Sequence, residues 1–141
     1  MSEAARGGLI CGDCLEVLPT LPAHSVDLIL TDLPYGTTRA SWDQALDLGR
    51  LWAGYAHVLK ADGVVVLFGK DMFSAQLITS RPSWFRYRWV WEKSKATGWL
   101  DAKNRPMQAH EDLNVFSPKK PRYYPQMRGG EPYDKGLVKQ Q

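Results

Sequence analysis

The chain has 141 residues with 44% apolar and 23% charged side chains. That is enough for one domain around one core, and the composition excludes collagen-like, low-complexity and highly charged disordered classes. Two cysteines, Cys11 and Cys14, are too few for a disulfide framework. The opening MSEAARGG lacks an apolar signal core, and no apolar run approaches the roughly 18–20 residues of a membrane helix. The expected location is therefore the cytoplasm, with no membrane partner.

Residues 8–11, GLIC, read as a strand. Asp13 can cap a helix over residues 14–21, which Pro19 and Pro22 keep short. Residues 26–30, VDLIL, are almost continuously apolar, as expected for a strand buried on both faces. The chain breaks at residues 32–36. A helix is predicted over residues 46–59, where Leu48, Leu51, Trp52, Tyr55, Val58 and Leu59 follow the helical period.

Asp62-Gly63 signals a turn, and residues 64–68, VVVLF, form the clearest buried strand. A helix follows over residues 72–80. Residues 85–91 alternate aromatic and basic side chains, consistent with a half-exposed strand. The preferred reading places Tyr87 and Trp89 in the core and Arg86 and Arg88 in solvent. Residues 112–117 are a further strand. From residue 118 the chain is rich in Pro, Gly, Lys and Tyr without periodicity, which reads as an extended arm or linker. The expected organisation is a domain over residues 1–117 and a basic arm over 118–141. Alternating strands and helices imply an α/β fold with a largely parallel sheet, and ligands at the carboxyl ends of its strands.

Charge is uneven. Residues 1–79 carry a balance of −4 and residues 80–141 a balance of +7. A basic half points to a polyanion partner, against the plainer reading of a solvated lysine-rich tail.

The informative segment is residues 26–38, VDLILTDLPYGTT. A strand delivers Asp32, Leu33, Pro34 and Tyr35 to its carboxyl end. Pro34 fixes its own backbone angle and biases Leu33 toward extended geometry, while Gly36 permits an unusual turn. Such a loop offers a carboxylate, an outward carbonyl and a ring. Those groups suit an exocyclic amino group on a nucleobase, whose lone pair is conjugated into the base. Two acceptors drawing on its two N–H bonds free that lone pair and stabilise the charge that develops. A neighbouring ring can stack on an extruded base. The plainer reading of Asp32 is a turn or capping residue after a strand.

Asp32-Leu33-Pro34-Tyr35 resembles the Asp-Pro-Pro-Tyr motif of DNA adenine-N6 and cytosine-N4 methyltransferases. The similarity extends through GDCLEVLPTLPAHSVDLILTDLPYGTTRASWD, WVWEKSKATGWLDAKNRPMQAHEDLNVF and YYPQM. It is to the bacterial and phage type in which the catalytic region comes first. The resemblance implies an incomplete Rossmann-like methyltransferase sheet, DNA as partner and S-adenosyl-L-methionine as cofactor. It implies that Asp32 and the Leu33 carbonyl accept from the target amino group. Pro34 holds the loop, and Tyr35 stacks on the flipped base. Asp13, Asp32 and Pro34 would approach the cofactor, though Asp13 serves equally as a helix cap. Asp rather than Ser at position 32 favours adenine. Leu33 stands where proline is usual, which costs rigidity but keeps the carbonyl.

The family's glycine-rich F-x-G-x-G loop, which approaches the methionine end of the cofactor, is absent from every glycine of this sequence. The expectation is a truncated or split enzyme, completed by a second chain or a missing C-terminal half. A non-catalytic nucleic-acid-binding remnant or subunit is the alternative, and cytosine-N4 or RNA amino methylation a third. Smaller signals are Lys70, Lys93 and Lys95 as phosphate contacts and His110-Glu111 as a structural hydrogen-bond position. Trp42-Asp43 matches the family without an assigned role. The lone C-x-x-C is too sparse for zinc, and no metal is expected.

Overall fold

The computed structural model describes residues 7–36, 44 and 46–130. A short helix α1 (Cys14–Val17) runs into a 3-10 turn (Leu18–Thr20). There follow β1 (Val26–Thr31), α2 (Leu48–Val58), β2 (Leu59–Gly69), α3 (Asp71–Ser80) and β3 (Phe85–Thr97). A second 3-10 turn (Trp99–Asp101) leads to β4 (Gln108–Phe116). The helix starts follow from capping chemistry. Asp13 Oδ1 accepts from the Leu15 amide at 2.9 Å, and Asp47 Oδ1 accepts from the Arg50 amide at 3.1 Å. Each satisfies a donor that the first helical turn leaves without an internal partner.

The four strands form one sheet in the order β1-β2-β4-β3. The α/β class holds, but parallel pairing is confined to β1 and β2; the β2–β4 and β4–β3 pairs are antiparallel. Because β4 opposes both of its neighbours, β1, β2 and β3 point the same way and β4 alone is reversed, so the sheet is largely parallel in strand direction; residues 98–107 are too short a link for a parallel crossover, which needs a dozen or more residues. The chain therefore returns as a hairpin, and β4 inserts between β2 and β3.

Residues 8–11 are irregular rather than a strand, with Leu9 and Ile10 exposed. An apolar run becomes a strand only where a neighbour completes its ladder, and none does so among the described residues. Asp62-Gly63 lies within β2, where Val26 and Leu28 of β1 face Leu59 and Val64 of β2. The turn signal there marks an irregular register, not a strand end.

Directly paired residues share a sheet face. One face carries Ile29, Val65, Leu67 and Phe116. It packs with Leu51, Trp52 and Tyr55 of α2, Leu77 of α3, and Trp84 into the main core. Phe116 is fully buried, its ring 5.0 Å from Trp52 and 5.7 Å from Phe85.

The opposite face carries Leu28 and Leu30 of β1, Val64 and Val66 of β2, Leu113 and Val115 of β4, and Tyr87 and Trp89 of β3. Val66 and Val115 are buried, but Leu28 and Leu30 are 55% and 58% exposed, so β1 is not covered on both faces. The same face reverses the expected orientation of β3. Tyr87 and Trp89 are exposed, while Arg86 Nη2 donates to the carbonyls of Ser117 and Pro118 at 2.6 and 3.1 Å. Arg88 points to the helix side, 3.4 Å from Asp112. Alternation separated Tyr87 and Trp89 from Arg88 correctly, but the register shift between Phe85 and Tyr87 leaves Arg86 beside the two rings; the burial of each side depended on which face acquired a second layer. Residues 118–130 have no regular structure, and Arg122 ties them to Asp62 at 2.6 Å.

Candidate active site

The segment after β1 is placed by its own side chains. Leu33 is 6% exposed and belongs to the main core, whereas Asp32 beside it is exposed. Burying a leucine contributes about 1.5–3 kcal/mol. The substitution that departs from the family motif thus anchors the loop by packing, and Asp32 is directed outward by the adjacent buried residue. Gly36 closes the loop at φ 67°, a left-handed conformation suited to glycine.

Tyr35 is half-buried. Its ring stacks on Phe73 of α3 with centroids 4.5 Å apart and planes at 28°. The Lys70 ammonium lies 6.0 Å from the ring centroid, within cation–π range. The Asp32 carboxylate is close enough to the Tyr35 phenol to favour its neutral form. Phe73 was not identified from sequence. Its signal was its position in the first turn of the helix that leaves the carboxyl end of β2.

Helix α3 is itself held to the sheet by a buried polar network. Ser74 Oγ donates to Asp112 Oδ2 at 2.8 Å, and Asn114 Nδ2 donates to Ser74 Oγ at 3.2 Å. Gly69 makes this approach possible: a Cβ there would lie 2.8 Å from Ser74 Oγ and 3.0 Å from Asn114 Nδ2. The network therefore sets where Phe73 and Lys70 stand relative to Tyr35. Lys70 also borders a cavity of about 250 Å³ lined by Asp71, Arg88, Val90, His110 and Asp112.

Lys93 pairs with Glu111, and both side chains are largely buried, so Lys93 is committed to an internal ion pair rather than open to phosphate. Lys95 is exposed. His110 is exposed, and Glu111 acts on Tyr35 through its charge. Asp13 performs the capping role. Cys11 and Cys14 are exposed free thiols, and the described residues contain no cluster that could hold a metal ion. No described helix is long and apolar enough to cross a membrane. Trp42-Asp43 lie outside the described residues.

Burial is the main cause that raises the Tyr35 phenol above its ordinary ionisation range, followed by its bond to Asp32 and the charges of Asp32 and Glu111. Burial likewise raises Tyr55, with a smaller contribution from Cys14. The fold thus favours the neutral phenols. Their contribution to stability is complete below the unfolded value near about pH 10 and is lost as pH rises through the higher folded values. A titration of phenolate ultraviolet absorbance should show Tyr35→Phe/Tyr55→Phe removing only the last part of the rise. Loss of the early part near pH 10 would contradict the Tyr35–Asp32 contact.

A mixed sheet with β1 and β2 parallel, a helix after each, and an acidic loop at the end of β1 places this chain in the methyltransferase class of α/β folds. Residues 26–140 match the DNA methylase family of N6 and N4 type, and the chain belongs to that family. Among solved structures, M1.HpyAVI in its SAM complex is 21% identical with a TM-score of 0.61; the match covers 90% of this chain and 62% of that one. TTHA0409, a DNA modification methylase of Thermus thermophilus complexed with S-adenosyl-L-methionine, is 21% identical with a TM-score of 0.58, covering 83% and 56%. The cytosine-N4-specific PvuII DNA methyltransferase is 18% identical with a TM-score of 0.56, covering 78% and 48%. These similarities establish a shared fold. The chain spans between about half and three-fifths of the length of these structures.

Proposed function

We propose that this chain forms the amino-gripping part of a DNA methyltransferase that modifies adenine at N6. The observation that carries the reading is the exposed Asp32 on a loop pinned by buried Leu33 and flanked by Tyr35. Asp32 accepts one N–H of the target amino group and the Leu33 carbonyl accepts the other, so the nitrogen lone pair becomes available. Pro34 keeps the two acceptors from drifting apart, and fixed acceptors need no reorganisation as charge develops. The Tyr35 ring, backed by Phe73, offers a stacking surface for a base taken out of the duplex. Lys70 beside that ring suits a flanking phosphate.

S-adenosyl-L-methionine, which TTHA0409 holds, supplies an electrophilic methyl group when bound. The residues of this chain fit its transfer site only in part. The exposed carboxylate of Asp32 and the stiff Pro34 suit the reacting end, and Asp13 is exposed on the cap of α1. The glycine cradle for the methionine end is not in the sequence.

A non-catalytic nucleic-acid-binding role is the second reading, favoured by the missing cradle and the basic balance of residues 80–141. Transfer of labelled methyl groups to defined duplexes, followed by nucleoside analysis, separates the readings. N6-methyladenine is expected from protein supplied with the cofactor-binding part. N4-methylcytosine would replace the adenine assignment, and no labelled nucleoside under those conditions would leave the binding role.

A further inference from the structure

The far end of the sheet from β1 carries a second surface, apart from the Asp32–Tyr35 loop. Along β3, Tyr87, Trp89 and Trp91 occupy alternate positions on one face and remain 37%, 48% and 48% exposed. Tyr87 and Trp89 form a tilted pair with ring centroids 5.4 Å apart. The arm returns beside them. Arg86 holds the carbonyls of Ser117 and Pro118, which brings Lys120, Pro121 and Tyr123 over the strand. Between arm and strand is an open slot of about 470 Å³ lined by Arg86, Tyr87, Trp89, Lys120, Pro121 and Tyr123. Its size is that of a small-ligand site, and no acidic side chain lines it.

Two observations select the ligand. Residues 118–130 contain Lys119, Lys120, Arg122 and Arg128 and no acidic residue, so the arm side of the slot attracts a polyanion. The Tyr87 and Trp89 rings are 5.4 Å apart with their planes tilted by 52°. That is wider than the roughly 3.4 Å separation of stacked bases in a duplex, and the tilt keeps the two ring planes from being parallel. Bases lying on successive rings must therefore be separated from one another, which paired, stacked DNA does not allow. Aromatic platforms beside a cationic backbone track are the means by which unpaired strands are held without sequence preference.

We propose that the slot between β3 and the arm binds an unpaired nucleic-acid strand, with bases on Tyr87, Trp89 and Tyr123 and phosphates toward Lys119 and Lys120. The site lies three strand intervals from β1, about 14 Å across the sheet, and stands independently of the methyl-transfer reading.

The test is fluorescence anisotropy of the 141-residue chain with a labelled oligothymidylate roughly 10 nucleotides long. An abasic strand of equal charge and a duplex of equal length serve as comparisons. The oligothymidylate should bind most tightly. Trp89→Ala should weaken it about tenfold while changing the abasic strand by less than about twofold. Tyr123→Ala, on the exposed arm, should act in the same direction and does not depend on the sheet refolding. Lys119→Gln/Lys120→Gln should weaken both strands alike and flatten the salt dependence. Equal affinity for abasic and base-bearing strands would overturn the proposal, as would a preference for duplex or an unaltered Tyr123→Ala. So would self-association of the chain through this face that Trp89→Ala abolishes and oligothymidylate does not compete with.

Discussion

Asp32→Ala should lower methyl transfer at least about a hundredfold in a methylation-competent form of the protein, with little change in folding stability. The size follows from the role. Removing one preorganised group that meets developing charge typically costs about 10²–10³ in rate. The stability forecast follows from exposure: Asp32 is exposed, and substitutions at such positions usually fall within about 0.5 kcal/mol. The structure adds a second consequence. The Tyr35 phenol loses a neighbouring carboxylate, but its ring keeps the Phe73 stack at 4.5 Å, so base binding should survive better than turnover. Asp32→Asn keeps an acceptor oxygen without the charge and should fall between the parent and Asp32→Ala. Single-turnover rates with saturating DNA, compared with urea midpoints of the same samples, give the answer. A rate within about threefold of the parent would remove Asp32 from the chemistry.

Phe116→Ala is expected to be the most damaging core substitution for the sheet. Phe116 is fully buried at the end of β4, paired with Val65 and Phe85, and its ring meets Trp52 of α2. It is the point where the hairpin strands, the parallel pair and α2 meet. Truncating a buried phenylalanine costs about 3–5 kcal/mol, a large part of the roughly 5–15 kcal/mol that a domain of this size possesses. With a urea dependence of about 1–3 kcal/mol per molar, the midpoint should fall by at least about 1 M. Phe116→Leu, which refills part of the space, should recover roughly half of that loss. A midpoint shift below about 0.3 M for the alanine variant would mean that the ring does not join these elements.

The main elements and the candidate loop were legible in the chain because their signals are local. Asp13 announces a helix start through a side chain that reaches a backbone amide two residues on, whereas the Asp47 cap of α2 lay inside the helix expected from residue 46. The β-branched run of β2 and the helical period of α2 appear where expected. The Asp32–Tyr35 segment was identified from residue chemistry and family resemblance, and it stands at the end of β1. Phe73 was not legible. It meets Tyr35 only because α3 docks on the sheet through Ser74, Asp112 and Asn114, residues about forty positions apart along the chain. Leu33 illustrates the intermediate case. Its departure from the family motif was visible, but that it compensates by entering the core depended on the packing of α2 and α3.

By itself the sequence determined which residues of α2 share a face, roughly where the main helices and strands lie, how charge divides between the two halves and which loop is the candidate site. Period, capping and composition are properties of neighbours along the chain. The tertiary structure decided that residues 8–11 pair with no described strand and that β4 lies between β2 and β3. It also left Leu28, Leu30 and Trp89 at the surface and turned Arg86 and Arg88 to partners. Alternation states that two sets of side chains point opposite ways. Which set is buried depends on whether another layer covers that face, and this is a contact between segments distant in sequence.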